Sequence, residues 1–460
     1  MTQNSPQQTP TRVGIVGLGY VGLPLALAMH RAGYEVVGID VDESTVENLR
    51  AGESTVTDVT DEAVSSAVDG GIEFTTDYKK LSEVNGVSIC VPTPLRKTDT
   101  PDLSYVIDAT ESLAPIVPDG CTVILESTVY PSATRDIVAS TLRKHRRAAT
   151  DVPTENQEEE PALTGDGGVV TEPAAESRPV IGDELFLAFS PERIDPGNQE
   201  YGQTNIPKVL GGVTPACGDR AAALYEPVFD EVVHVESATE AELVKLLENT
   251  FRAVNIGLIN ELAQVAHELD VDIWNIIDAA ATKPFGFMPF YPGPGLGGHC
   301  IPVDPMFLSW QANEQGIETR FIDLADTVNR EMPTHVIERL VRQLNERGIA
   351  PSRSHVVIVG AAYKPDVSDT RESPAIDIIR DLEKWSATVE YSDPHVPTLS
   401  VGEATYESVD LTADRLTAAD CVVIVTNHDA IDVDQIVDHA SFVFDARNAT
   451  KGDNEHVIRL

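Results

Sequence analysis

Short apolar runs alternate with stretches of helical periodicity in the first third of the chain. The run VGIV (13–16) breaks into glycines, and the apolar residues of the following LPLALAMHRAGY recur at helical spacing. Further apolar runs lie at 35–40, 87–92 and 122–128. Because alternating strands and helices build a parallel sheet through right-handed crossovers, this pattern predicts a doubly wound α/β domain.

The same alternation returns after Pro351. Apolar runs at 355–360, 389–393, 421–426 and 442–446 are predicted as strands. The expected fold class is therefore α/β, with two doubly wound parallel-sheet domains joined by a helical middle domain.

The clearest single element is a long helix predicted over 239–269. Thr239 and Glu242 have the spacing of a capping box. Apolar residues follow at helical spacing, namely Leu243, Leu246, Leu247, Phe251, Val254, Leu258, Leu262, Val265 and Leu269. The helix would be about 45 Å long, and one of that length commonly bridges domains or packs against a partner subunit.

The predicted domain boundaries are 1–213, 214–335 and 345–460. Within the first domain, residues 148–184 are rich in Pro, Gly and Glu and nearly free of aromatics. Such a composition buries too little apolar surface to fold. We expect a poorly ordered acidic insertion exposed to solvent, with a functional acidic segment as the alternative.

The charge of the chain limits its partners. Its 460 residues include 74 Asp and Glu against 33 Lys and Arg, a formal net charge of −41. Nucleic acid and anionic membrane lipid would be repelled, so neither is an expected partner. A carboxylate surplus of this kind keeps surfaces hydrated in very high salt, which favours a halophilic source.

Cysteine usage favours a reducing compartment. The five cysteines are scattered, with no CxxC pair and no His/Cys cluster. Neither a disulfide scaffold nor a metal site is expected. The N-terminal segment lacks the apolar core of a signal peptide, and no apolar run is long enough to span a membrane. We therefore expect a cytoplasmic protein.

The first glycine cluster fits a dinucleotide-binding fingerprint. It lies between a predicted strand and a predicted helix and consists of Gly17, Leu18, Gly19, Tyr20, Val21 and Gly22. The glycines let the backbone approach a pyrophosphate at the helix N-terminus. Asp40 ends the next strand, where a carboxylate holds ribose hydroxyls and repels a 2′-phosphate. The predicted cofactor is NAD.

The segment PFYPGPGLGGHCIPVDP surrounds Cys300 with glycines and prolines. Cys90, Cys121 and Cys421 lie in or beside apolar runs and are predicted as buried small side chains. A glycine-rich loop instead serves close approach to a ligand. Cys300 is therefore the candidate nucleophile, whereas its neighbour His299 is expected to be structural because adjacent extended side chains point to opposite faces.

A thiol nucleophile together with NAD indicates oxidation of an alcohol to an acid. Hydride loss gives an aldehyde, Cys300 adds to it, a second hydride loss gives a thioester, and water hydrolyses that thioester. Lys245 and Asn249 share a helix face and could stabilise an oxyanion, although a plain surface lysine is the alternative. Glu192 and Asp304 are the candidate carboxylates for hydrolysis.

Five motifs, in this order, resemble the UDP-glucose/GDP-mannose dehydrogenase family of nucleotide-sugar 6-dehydrogenases. They are GLGYVGLP (17–24), ESTVYPSAT (126–134), SPERIDPGN (190–198), GPGLGGHCIPVDP (293–305) and AAYKPDVSDTRES (361–373). The resemblance covers nearly the whole chain apart from the N-terminal tail and the acidic insertion. It implies two Rossmann-like domains, a long helix that builds a homodimer or higher oligomer, and a four-electron oxidation at carbon-6 of a UDP-sugar with two NAD per turnover.

The resemblance also implies roles for single residues. In catalysis these are Cys300 as nucleophile, Lys245 and Asn249 as oxyanion stabilisers, Asp304 beside the nucleophile, Thr128 as the hydroxyl that holds water, and Glu192 as acid/base. Near NAD it places Thr93, Thr128 and Arg371. Around the sugar nucleotide, besides Glu192, Lys245 and Asn249, it places Tyr291, Gly297, Tyr363, Lys364 and Arg447, with Arg193 as a candidate sugar contact. A diphosphate needs such cations, although ordinary surface charge is the alternative.

One departure bears on the substrate. The UDP-glucose members carry a second glutamate four residues after the first, where this chain has Pro196, and Asp195 is one position off. The segments around Glu192 and Cys300 look more like the branch that oxidises UDP-N-acetylhexosamines. We therefore favour UDP-N-acetylglucosamine, with UDP-N-acetylmannosamine and UDP-glucose left open.

Two rival classes remain. A β-hydroxyacid or 6-phosphogluconate-type dehydrogenase shares the first domain and the helix Lys/Asn pair, but it needs neither the GGHC loop nor a second α/β unit. A non-catalytic nucleotide-sugar sensor would not need the full set of Cys300, Lys245, Asn249 and Asp304.

Overall fold

The chain forms two compact units, which are described separately. The computed structural model describes residues 11–56, 59–96, 98, 100–146, 179–194, 201–298, 300–452 and 454–460. The first unit consists of Met1–Arg96 and Pro101–Lys245, and the second of Lys97–Thr100 and Leu246–Leu460. The predicted three-way division at 213/214 and 335/345 stays a prediction.

Some predicted features lie outside the described residues. These are positions 148–178 of the acidic insertion, Asp195, Pro196 and His299. Residues 179–184 are described, and Ile181 among them is buried and bridges to Leu185. Residues 179–184, the last part of the predicted insertion, therefore belong to the folded first unit, and Ile181 is the apolar side chain that they bury.

An eight-stranded sheet forms the centre of the first unit. Its strands are β1 (Arg12–Val16), β2 (Glu35–Ile39), β3 (Glu73–Thr75), β4 (Gly86–Ile89), β5 (Thr122–Leu125), β6 (Phe186–Phe189), β7 (Lys208–Gly212) and β8 (Val232–Val235). Their order is β3-β2-β1-β4-β5-β6-β7-β8, and all neighbours are parallel except β6 and β7. The inner strands are buried along nearly their whole length, as in sheets covered on both faces.

Helices cover this sheet. They are α1 (Gly22–Arg31), α2 (Glu43–Arg50), α3 (Asp61–Asp69), α4 (Ser104–Leu113), α5 (Ala139–His145) and α6 (Pro215–Tyr225), with a 3₁₀ turn at Tyr78–Glu83 and a π-helical turn at Thr134–Val138. Asp42, Thr60 and Thr214 cap α2, α3 and α6 through their side-chain oxygens. No side chain caps α1, which leaves its N-terminus suited to an anion.

The long helix α7 (Ala238–Glu268) starts in the first unit and continues into the second. Its extent agrees with the predicted 239–269, but its cap differs. Ser237 Oγ accepts the N–H of Glu240 at 3.2 Å, so Ser237 caps the helix two residues before the predicted Thr239. The other half of the predicted box, Glu242, bonds elsewhere, since its buried carboxylate accepts backbone N–H groups of another segment.

The second unit contains the remaining helices and a five-stranded sheet. The helices are α8 (Ile273–Ala281), α9 (Asp304–Glu314), α10 (Arg320–Glu346), α11 (Pro374–Lys384), α12 (Ala413–Ala418) and α13 (Val433–His439), with a 3₁₀ turn at Pro351–Arg353. The strands are β9 (His355–Val359), β10 (Thr388–Ser392), β11 (Thr398–Val401), β12 (Ala404–Glu407), β13 (Cys421–Ile424), β14 (Val443–Asp445) and β15 (Val457–Arg459). The order β10-β9-β13-β14-β15 is parallel throughout, and β11 and β12 form an antiparallel hairpin. Two parallel-sheet α/β parts confirm the predicted fold class.

Within the second unit, α7 packs through its small residues. Gly257 approaches α10 so closely that a Cβ would lie 3.2 Å from Ala325 Cα. Most large apolar residues of the predicted stripe are exposed instead, with Leu247 at 65%, Leu258 at 52% and Leu269 at 68%. Periodicity located an apolar face, but the face covered within this chain is a different one. Among the described residues, no helix is long and apolar enough to cross a membrane.

Candidate active site

The glycine turn between β1 and α1 is shaped by close backbone contacts. Gly17 has φ +90°, and a Cβ there would lie 2.6 Å from Cys90 O. A Cβ on Gly22 would lie 1.8 Å from Gly17 O, whereas one on Gly19 would meet nothing within 4 Å. Two glycines therefore permit the turn itself, and the third leaves open space beside the uncapped N-terminus of α1. This arrangement fits the pyrophosphate of a dinucleotide.

Asp40 lies beside this turn at the end of β2. Its Oδ2 accepts the N–H of Leu18 at 2.8 Å, and its Oδ1 accepts the N–H of Asp42 at 3.0 Å. The carboxylate thus holds the glycine turn against the second strand, a contact that sequence analysis did not anticipate. Thr93, predicted near the cofactor, is buried in the same unit, and Tyr20 is exposed.

The first unit brings two predicted catalytic residues together. Lys245 Nζ donates to the backbone oxygen of Glu192 at 2.6 Å. The Glu192 carboxylate turns back on its own segment, and its Oε1 accepts the N–H groups of Arg193 at 2.7 Å and Ile194 at 2.9 Å. Arg193 Nη1 donates to Pro207 O at 2.6 Å. Glu192 is therefore held in one orientation next to the ammonium of Lys245.

Sequence analysis missed two charged residues that contact this region. Glu126, at the end of β5, and Lys208, at the start of β7, are almost completely buried and form an ion pair at 2.6 Å. The sequence does show a charged residue directly next to an apolar strand at each of these two positions. Such a charge is costly to bury unless it is paired, so a partner could have been expected. The partner is 82 positions away in the sequence, so periodicity could not identify it.

Glu242 fixes the segment that contains Thr128. Its carboxylate accepts the N–H of Ser132 at 2.5 Å and of Thr134 at 2.9 Å. Ser132 has φ +78°, a strained conformation for a residue with a Cβ. Burial raises the pKa of Glu242 to about 7, although the two N–H groups act in the opposite direction. Glu242, predicted as part of a helix cap, instead binds the backbone of the ESTVYPSAT segment through its buried carboxylate.

In the second unit, Cys300 begins the turn that enters α9. Its carbonyl oxygen accepts the N–H groups of Val303 at 3.2 Å and Asp304 at 2.8 Å. Asp304 is buried, and its Oδ2 accepts Asn249 Nδ2 from α7 at 2.6 Å. Two separately predicted residues, Asn249 and Asp304, are thus joined by a hydrogen bond, one turn from the predicted nucleophile.

The other four cysteines are buried, whereas Cys300 is exposed. Burial raises the pKa of Cys121 to about 12 and the pKa of Cys90 well above the ordinary value of a thiol. Cys90, Cys121 and Cys421 therefore have the structural environment predicted for them. Exposure distinguishes Cys300 as the thiol that a substrate could reach.

The glycine loop before Cys300 is anchored at two points in the second unit. Asn260, fully buried on α7, accepts the N–H of Gly293 at 3.0 Å. Gly298 donates to Arg371 O at 2.9 Å, and a Cβ on Gly297 would lie 2.6 Å from Tyr363 Cβ. Three predicted residues, Gly297, Tyr363 and Arg371, are therefore brought together.

Cations predicted to grip the substrate or cofactor have defined contacts. Arg447 Nε donates to Val425 O at 2.7 Å, and burial lowers the pKa of Arg447 to about 10. Arg371 makes a bidentate ion pair with Asp369. Tyr291 stacks on Trp274 at 5.6 Å between ring centres. Lys364 is partly exposed.

One group of possible metal ligands occurs in the part of the second unit that the structure describes. Atoms of Asp366, His395 and His428 lie within 4.8 Å of one another. His428 is already engaged at both ring nitrogens, since Nδ1 accepts the N–H of Asp366 and Nε2 faces Asp393, each at 2.9 Å. These bonds argue for a structural histidine.

Comparisons with known proteins identify the family of this chain. Three models of the UDP-glucose/GDP-mannose dehydrogenase family match, namely the NAD binding domain at residues 11–229, the central domain at 239–331 and the UDP binding domain at 357–452. The chain belongs to this dehydrogenase family. Like other members, it is an NAD-dependent oxidoreductase that acts on a nucleotide sugar, with a domain for UDP-sugar binding.

The similar proteins are named for two different substrates. The chain is 32% identical over 95% of its length to a UDP-N-acetyl-D-mannosamine dehydrogenase from Methanococcus maripaludis, covering 92% of that protein. It is 33% identical over 84% of its length to a UDP-N-acetyl-D-glucosamine 6-dehydrogenase from Pseudomonas aeruginosa, covering 83% of that protein. A solved UDP-D-ManNAc dehydrogenase from Pyrococcus horikoshii superimposes with a TM-score of 0.82 at 29% identity, covering 98% of both chains.

Proposed function

We propose that this dehydrogenase oxidises the carbon-6 hydroxymethyl group of a UDP-N-acetylhexosamine to a carboxylate, with Cys300 as nucleophile. The carrying observation is that Cys300 is exposed on an anchored glycine loop one turn from the Asn249–Asp304 pair. Of the two carbon-2 epimers, the motifs favour UDP-N-acetylglucosamine. UDP-N-acetylmannosamine is the second candidate because relatives of both names align over most of the chain, and UDP-glucose is the third.

NAD, when bound, supplies the hydride acceptor for both oxidation steps. We assign its pyrophosphate to the Gly17–Gly22 turn and its ribose to Asp40, with Thr93, Thr128 and Arg371 as further contacts. The space beside Gly19 and the uncapped N-terminus of α1 support this assignment. The Asp40 carboxylate has about four acceptor sites, and the N–H groups of Leu18 and Asp42 use two of them. The other sites remain for ribose hydroxyls.

The chain's own residues then divide the chemistry. The Cys300 sulfur attacks the aldehyde carbon to form a thiohemiacetal, and a second oxidation converts this adduct to a thioester. Lys245 and Asn249 donate to the oxygen on which negative charge develops. Asp304 orients the Asn249 amide, and Thr128 holds the attacking water. Glu192 accepts the proton of that water, the C–S bond breaks, and the electron pair returns to the Cys300 sulfur.

We assign substrate binding to the cations and loop residues of the second unit. Lys364 and Arg447 face the phosphates, while Tyr363, Gly297 and Tyr291 contact the nucleotide sugar, as does Arg193 of the first unit. Arg447 is partly buried, which supports this role, because a partly desolvated guanidinium gains more from a diphosphate than a fully exposed one does.

We further propose that α7 pairs with a second copy of the chain to give a homodimer or a higher oligomer. The exposed apolar residues on this helix support the proposal, because a monomer would leave a long apolar stripe in water. The predicted cytoplasmic location and salt adaptation remain predictions.

A substrate panel tests the activity. UDP-N-acetylglucosamine, UDP-N-acetylmannosamine, UDP-glucose and GDP-mannose are incubated with NAD at low and multimolar salt, and NADH is counted per sugar consumed. We expect two NADH and a uronate from a UDP-N-acetylhexosamine. One NADH and a ketone would instead support a β-hydroxyacid-type reaction.

The matched variant is Cys300→Ser. It should abolish NADH production while leaving UDP-sugar binding intact, as measured by calorimetry. Unchanged turnover would overturn the nucleophile assignment. Binding of the sugar nucleotide with no NADH from the wild-type protein would support a sensor.

A further inference from the structure

Lys208 occupies a buried position from which it contacts the candidate acid/base residue. Its side chain is 3% exposed at the start of β7. Its ammonium donates to Glu126 Oε2 at 2.6 Å, Pro191 O at 3.2 Å and Glu192 Oε2 at 3.3 Å. An ammonium has three N–H groups, so each one has an oxygen acceptor, and two of these oxygens belong to the segment that carries the Glu192 side chain.

A buried chain of polar side chains fixes the other end of this contact. Glu126 Oε1 accepts a short hydrogen bond from Tyr225 OH, and this hydroxyl lies 2.9 Å from Ser88 Oγ. All these side chains lie in the interior of the first unit. Both carboxylate oxygens of Glu126 are therefore engaged, and Oε2 binds the Lys208 ammonium, which lies 3.3 Å from Glu192 Oε2.

The electrostatics are those of a buried cation between two carboxylates. Burial by itself lowers the pKa of Lys208, but the charges of Glu126 and Glu192 more than offset this effect, so the pKa is raised and Lys208 stays charged. Buried ion pairs are often no more stabilising than an apolar replacement of similar volume. Fold stability alone therefore gives little reason to bury this pair.

The buried ammonium of Lys208 fixes the orientation of the Glu192 carboxylate. One oxygen is held by the N–H groups of Arg193 and Ile194, and the other by Lys208. Without Lys208, the second oxygen would lose its cation and the carboxylate could rotate about its side-chain bonds. A catalytic group displaced by about 1 Å loses about 10²-fold in rate.

We propose that Lys208, held by Glu126, is a positioning residue that orients the Glu192 carboxylate for hydrolysis of the Cys300 thioester. The inference rests on the proposed function, in which Glu192 takes the proton of the attacking water. Loss of Lys208 should therefore slow hydrolysis and spare both oxidation steps that precede it.

The test replaces the pair rather than one member. Lys208→Met alone would leave Glu126 buried without its cation and so destabilise the unit. The double variant Lys208→Met/Glu126→Gln removes both charges and keeps an acceptor for Tyr225 OH. Val209→Ala, on the same strand, serves as a control that loses buried apolar contact without touching Glu192.

Stopped-flow NADH formation with the substrate found in the panel separates the steps. For the double variant we expect a rapid burst of two NADH per active site, then a steady state slower than wild type by about 10²-fold. Intact mass spectrometry should show the protein carrying the sugar acyl group, and circular dichroism should show a wild-type fold. Val209→Ala should keep the wild-type ratio of burst to steady-state rate.

Failure of the inference and failure of the proposed function give different results. If Glu192→Gln accumulates the acyl protein but the folded double variant turns over at the wild-type rate, only the inference about Lys208 is overturned. If Glu192→Gln hydrolyses as fast as wild type, the role proposed for Glu192 is wrong, and the inference falls with it. If the double variant is slowed equally in burst and steady state, Lys208 has a general structural role and the inference is also overturned.

Discussion

The buried carboxyl group of Glu242 should make the first unit sensitive to pH in a defined direction. Burial raises its pKa to about 7 from the ordinary value of 4.5. Between these values the unfolded chain has released the proton and the folded chain still holds it. The contribution of Glu242 to the free energy of unfolding is therefore at its full value below about pH 4.5, and it is lost as the pH rises toward 7.

The magnitude follows from the two pKa values. An interval from 4.5 to about 7, at about 1.4 kcal/mol per pH unit, corresponds to about 3 kcal/mol of unfolding free energy. Glu242→Gln removes the ionisation and keeps one acceptor for the N–H groups of Ser132 and Thr134. The variant should gain about 3 kcal/mol relative to wild type between pH 4.5 and pH 8.

Guanidinium denaturation of both proteins at each pH measures this difference, because other titrating groups cancel in the comparison. Far-UV circular dichroism is the appropriate signal, since Trp274, Trp310 and Trp385 all lie in the second unit. Glu242→Ala is the control, because it also lacks the ionisable carboxyl group. Its stability relative to wild type should change with pH as that of Glu242→Gln does, but with an added constant cost of about 1–3 kcal/mol for each N–H left unpaired. A difference that stays constant with pH, or that favours wild type at high pH, would refute the reasoning.

Three further predictions concern the glycine turn, the nucleophile loop and the exposed face of α7. Gly22→Ala should lower the melting temperature, because its Cβ would lie 1.8 Å from a backbone oxygen, whereas Gly19→Ala, with nothing within 4 Å, should keep that temperature and weaken NAD binding in calorimetry; equal melting temperatures would contradict this. Asn260→Leu should lower the free energy of unfolding by about 1–3 kcal/mol for each buried polar group left unpaired. It should also lower kcat without changing NAD affinity, because it releases Gly293 of the nucleophile loop; an unchanged kcat would count against this role. Leu258→Glu should convert the oligomer to monomers in sedimentation velocity, since Leu258 is 52% exposed on α7; an unchanged sedimentation coefficient would exclude this face as the interface.

Local patterns were enough to predict much of the fold and to select candidate site residues. The alternation of apolar runs and helical stretches predicted both parallel sheets, because each strand and helix carries its own periodicity. The glycine turn and Asp40 were located because their spacing is set by one strand–turn–helix unit. Cys300 was singled out because its neighbours in sequence are glycines and prolines, in contrast to the apolar neighbours of Cys90, Cys121 and Cys421.

What required the tertiary structure involves partners distant in sequence. Glu242 has the spacing of a helix cap, yet its carboxylate binds Ser132, 110 positions away. Lys208 and Glu126 each border an apolar strand, and only β-sheet order brings them together. Periodicity shows that α7 has an apolar face, whereas the fold decides that small residues meet α10 and the large ones stay exposed. Sequence spacing determines which face or turn a residue occupies, but the pairing of buried charges and the covering of faces depend on contacts that form only when distant segments pack.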